Sequence, residues 1–126
     1  MDNKQTQRKP VNSSEYKRVL NERVKNMNPL QIATFGTTLD VLQTIERFTH
    51  VDTVELNDVT KQITIISGLL IDTKWYDIEL RRSYKQTLRG LIQRNNALVA
   101  RLQTYSNDAK NTRDALDVLI TTIKRG

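Results

Sequence analysis

Leu88, Leu91, Asn95, Leu98, Leu102, Tyr105, Ala109, Thr112, Leu116, Leu119 and Ile123 follow one another in alternating steps of three and four. A helix turns once per ~3.6 residues, so this spacing gathers the set on one face, whereas a strand would scatter it over two. Neither proline, Pro10 or Pro29, interrupts it. The C-terminal part of the chain is therefore read as coiled-coil-like helix. A parallel two-stranded zipper needs charged flanking positions that pair across the seam. Here one flank carries Ile92, Val99 and Ile120 and the other Arg94, Arg101 and Thr122, with no acidic partner facing those arginines. The apolar stripe is accordingly wide, which suits a helix packed against two neighbours in a bundle or a higher-order helical oligomer. Asn95 in the seam serves either as a register-fixing contact or as a bundle-edge residue, and Asp108 after Ser106 and Asn107 is a potential cap that would divide the segment in two.

The same periodicity extends upstream. Ser13 or Ser14 is expected to cap a helix carrying Tyr16, Val19, Leu20, Val24 and Met27. Asn28 followed by Pro29 is a second start signal, because proline at the first helical position gives up only an N–H that would lack a partner anyway. Leu30, Phe35, Leu39, Leu42, Ile45 and Phe48 continue that helix to about His50; Thr49, Asp52 and Thr53 offer caps for a third, with Leu56, Val59, Ile63, Ile66 and Leu70 as its stripe. Residues 59–71 are rich in β-branched side chains, which favour strands, yet their spacing is closer to helical. Between Asp72 and Asp77 the pattern loses phase, which predicts a turn. The expected fold is all-α: a four- or five-helix antiparallel bundle or helical oligomer, with helices near 14–27, 29–50, 54–72, 75–105 and 108–124, the last two free to merge. Residues 13–126 form one helical domain in this reading. Residues 1–12, polar and carrying Lys4, Arg8 and Lys9, form a flexible basic arm.

Most catalytic chemistry lacks its residues. There is no cysteine, and His50 is the single histidine, so neither a thiolate nucleophile nor a multi-histidine metal site can be assembled from one chain. Asp72, Asp77 and Glu79 do not follow the spacing of a calcium loop, and Gly36, Gly68, Gly90 and Gly126 stand too far apart to cradle phosphate. A non-enzyme with no cofactor, no metal and no small-molecule substrate is expected. The chain shows neither the apolar core of a signal peptide nor a membrane span, so the expected location is the cytoplasm or an intracellularly assembled particle, with no membrane partner.

Charge is unevenly laid out. Residues 29–80 carry three basic and eight acidic groups, whereas residues 81–126 carry ten and three. Residues 80–107 contain Arg81, Arg82, Lys85, Arg89, Arg94 and Arg101 and no carboxylate. At about 100° per residue, Arg81, Arg82, Lys85 and Arg89 share one helical face, a ladder able to follow phosphates, meet an acidic protein surface, or be neutralised by the acidic middle of the chain. Trp75, Tyr76 and Tyr84 adjoin it, and aromatic with arginine is the composition of interface hot spots. A basic stretch entering heptads has the outline of a basic leucine zipper, but Leu88, Leu91, Ile92, Leu98 and Val99 occupy what would be a polar, groove-facing helix. The expected function is a non-enzymatic helical interaction or assembly protein, a structural subunit or adaptor of a larger complex such as a virion. Its partner is a protein or another copy of the chain. Arg81, Arg82, Lys85, Arg89, Trp75, Tyr76, Tyr84, Lys4, Arg8 and Lys9 are the candidate partner-binding residues, and nucleic-acid binding through the 81–101 face and the arm is the alternative.

Overall fold

The computed structural model describes residues 9–123 and contains three α-helices: α1 (Ser13–Arg23), α2 (Pro29–Asp72) and α3 (Ile78–Thr122), with a 3-10 turn at Val24–Asn26. No strand occurs among the described residues. The all-helical expectation stands, and where four or five helices were expected the described residues form three. α2 passes through His50 without a break, and α3 passes through Ser106, Asn107 and Asp108. Thr, Ser, Asn and Asp cap a helix only where the chain leaves helical geometry, and at neither place does a proline or glycine force it to leave. Threonine hydroxyls instead donate back to the carbonyl four residues earlier, Thr53 to Thr49 at 2.7 Å, Thr60 to Leu56 at 2.8 Å and Thr64 to Thr60 at 3.1 Å. That satisfies the side chains without disrupting the helix, so the β-branched stretch at 59–71 remains helical.

The helix starts are set locally. Asn12, in extended conformation, accepts from the Glu15 N–H at 2.9 Å, one residue earlier than the expected serine caps. Ser13 is engaged elsewhere: its N–H donates to the Glu46 carboxylate at 2.8 Å, and its hydroxyl donates there too. At α2 the exchange is reciprocal, the Gln31 N–H donating to Asn28 Oδ1 at 2.8 Å and the Asn28 N–H to Gln31 Oε1 at 2.9 Å, with Pro29 first in the helix.

The chain forms two compact units. The first combines Met1–Arg47 with Ser106–Gly126, and its core is Tyr16, Met27, Phe35, Leu39, Leu42, Leu116 and Ile123. Tyr16 is fully buried and donates from Oη to Asp117 Oδ1 at 2.6 Å. Burial, then the hydrogen bond to Asp117, push its phenol well above the usual tyrosine range. Arg23 closes the last turn of α3 by donating to the Ile120 carbonyl at 3.1 Å.

The second unit, Phe48–Tyr105, is a helical hairpin built from the C-terminal part of α2, residues 73–77 and the N-terminal part of α3. Partners fall on one helix as they rise on the other, Phe48 with Tyr105, Asp52 with Arg101 and Thr60 with Asn95, and the long Arg94 side chain reaches Glu55 between the last two. The helices are therefore antiparallel. Asp52, Val59 and Leu98 are buried, and Leu56, Ile63, Ile66, Leu70, Tyr84, Leu88 and Leu91 are half-buried between them. Two helices alone cover one stripe each and leave every other face of the hairpin exposed.

Candidate functional site

Of the candidate residues, Trp75, Tyr76 and Arg81 lie at the turn of the hairpin. α2 ends at Asp72, where the apolar stripe loses phase, and α3 begins at Ile78 with Asp77 just before it. Arg81 reaches back and donates from Nη1 to the carbonyls of Leu70 at 3.2 Å and Thr73 at 3.1 Å. The Leu70 carbonyl also accepts from the Thr73 N–H at 3.2 Å, so Arg81 adds a second donor there, and a cation suits the negative end of the α2 macrodipole. Arg81 is thus a clamp on the turn, half-buried, rather than a free rung of the ladder.

With the turn clamped, most side chains between Leu69 and Leu80 are exposed, Leu70 and Thr73 excepted. Trp75 is 82 % exposed and Ile71 81 %, and Tyr76, Ile78, Leu69 and Leu80 are exposed beside them in sequence. The Trp75 and Tyr76 rings meet edge to face, centroids 5.7 Å apart. Tyr84 does not join them; it is half-buried in the seam between the helices. Sequence reasoning named the aromatic pair but missed Leu69, Ile71, Ile78 and Leu80. Loss of apolar phase at 72–77 was the available signal, because residues flanking a phase break cannot all face the seam.

The cations divide into three groups. Arg82, Lys85 and Arg89 lie exposed along α3, and among the described residues no carboxylate pairs with them. Arg94 and Arg101 are neutralised within the hairpin, which corrects the expectation that no acidic residue faces them: that holds for a parallel zipper and fails for antiparallel helices of one chain. Arg94 Nη2 donates to Glu55 Oε1 at 2.7 Å and its Nε to Oε2, a two-pronged pairing that lowers the Glu55 pKa. Arg101, whose pKa is raised by a hydrogen bond with Tyr105 and by Asp52, holds the Asp52 carboxylate. Lys9 is exposed. Lys4 and Arg8, with most of the expected arm, lie outside the described residues.

Among the described residues no three His, Asp or Glu side chains come together as metal ligands, and no helix is long and apolar enough to cross a membrane. Comparison with protein-family models, curated proteins and solved structures finds no match to this chain.

Proposed function

We propose that this protein is a non-catalytic helical assembly protein, a structural subunit or adaptor that docks on protein through its hairpin. The observation that carries the reading is the uncovered apolar turn: Trp75 and Ile71, each more than four-fifths exposed, with Tyr76 and Ile78 beside them. Large apolar groups displayed together on well-formed helix ends are characteristic of interaction surfaces, and tryptophan, tyrosine and arginine dominate the binding energy of such surfaces. The Arg81 clamp supports the reading further, since a turn held in place loses less conformational freedom on docking.

The test places a photo-crosslinking amino acid at position 75 of the full chain in the cells that natively produce it. Discrete protein adducts, absent when the probe replaces exposed Lys110, are expected; no adducts at position 75 would overturn the reading.

A second reading, nucleic-acid binding, draws on Arg82, Lys85 and Arg89, which are exposed and pair with no carboxylate among the described residues. Affinity for a polyanion held by these contacts would fall steeply with salt, with a log–log slope of ~0.9 per phosphate on duplex DNA. Docking through the apolar turn would be nearly indifferent to salt.

A further inference from the structure

The hairpin carries two exposed stripes that match each other. On α3, Ile78, Arg82, Lys85, Arg89, Ile92, Asn96 and Val99 recur in steps of four and three, and all are exposed. On α2, Phe48, Val51, Glu55, Asp58, Gln62, Ile65, Leu69 and Asp72 recur in steps of three and four, all exposed except the half-buried Glu55. Such alternation is the spacing of a helix-packing seam; Phe48 and Glu55 already meet Tyr105 and Arg94 within the hairpin, and the remaining positions lie outside the seam that closes it.

The chemistry of the two stripes is complementary. Val51, Asp58 and Ile65 stand one heptad apart, as do Ile78, Lys85 and Ile92. Gln62 donates to the Asp58 carboxylate at 2.8 Å and Glu55 is already paired with Arg94, so, among the described residues, Asp58 is the free acidic group at the centre of the α2 stripe; Arg82 and Arg89 flank the lysine. Laid together, Asp58 meets Lys85 while Val51 and Ile65 meet the two isoleucines, whichever way the helices run. The apolar residues stand seven positions either side of the central charge on both stripes.

The two stripes cannot be joined within one hairpin. Glu55 with Arg94 marks one edge of the seam and Thr60 with Asn95 the other. At ~100° per residue, Val51, Asp58 and Ile65 lie on the Glu55 side of α2, and Ile92 and Val99 lie on the side of α3 away from Arg94. They occupy opposite faces.

We infer that the α2 stripe of one copy packs against the α3 stripe of a second copy, so that hairpins associate head to tail. This rests on the assembly reading above and names its partner as the chain itself. Because the two surfaces differ, the contact is heterologous and propagates beyond a dimer unless the rotation between copies closes a ring.

The experiment measures the mass of the full chain by light scattering and sedimentation as concentration rises. The native chain should grow past a dimer. A variant with Arg82→Glu, Lys85→Glu and Arg89→Glu, and another with Asp58→Lys and Gln62→Lys, should each stay monomeric with unchanged helical circular dichroism. All five positions are exposed, so the fold should tolerate them. An equimolar mixture of the two variants, and a single chain carrying both sets, should recover association, because the reversed charges again face opposites. A monomeric native chain, variants that associate like the native protein, or failure of the mixture to recover would overturn the inference. Position-75 adducts to other proteins alongside any of these would leave the assembly reading standing, whereas absence of both adducts and association would overturn both.

Discussion

Asp52, 3 % exposed within the hairpin, is held by one arginine of the facing helix: Arg101 Nη2 donates to Oδ1 at 3.0 Å, and Nε lies 3.0 Å from Oδ2 without the alignment of a hydrogen bond. A carboxylate removed from water depends on such a partner, and losing the partner is worse than losing both charges. Arg101→Ala should therefore lower the urea midpoint more than the double replacement Asp52→Leu with Arg101→Leu, which leaves no buried charge behind. Equal midpoints in the two variants would refute this.

Tyr16 makes the first unit sensitive to alkali. Its pKa is raised in the folded protein by burial and by Asp117, so its contribution to stability is complete below the unfolded value of ~10 and is lost as pH rises above it. Tyr16→Phe should cost about 1–3 kcal/mol at pH 7, since Asp117 loses its donor. The difference between native and variant should narrow in urea titrations repeated above pH 10; a constant difference would contradict the assignment.

Gly68 and Gly90 sit within α2 and α3 in ordinary helical conformation, and a Cβ at either meets nothing within 4 Å. Neither position needs glycine for a turn or a close approach. Gly68→Ala and Gly90→Ala should each stabilise the protein by ~0.5–1 kcal/mol, read as a rise in Tm. A fall would reveal a contact that the isolated chain does not make.

Trp75 is the single tryptophan, so its fluorescence reports on the hairpin turn alone. At 82 % exposure it should emit like indole in water and be quenched readily by acrylamide. Trp75→Ser should change unfolding free energy by less than about 0.5 kcal/mol, because little is buried on folding. Blue-shifted emission from dilute monomer would show that the turn is covered.

What the sequence determined by itself was local. The Asn28 cap, helix entry at Pro29, the one-sided apolar spacing from Leu88 to Ile123 and the break between Asp72 and Asp77 all depend on residues a few positions apart, where helical hydrogen bonds and caps operate. The tertiary structure decided how many helices there are, since Asp52 reads equally as a cap or as a buried partner for Arg101, 49 residues away. It likewise assigned Arg94 to Glu55, turned Arg81 inward onto Leu70 and Thr73, and joined Tyr16 to Asp117. Those pairings hinge on which helix lies alongside which and in what direction, and an amphipathic pattern specifies a face to be covered without specifying what covers it.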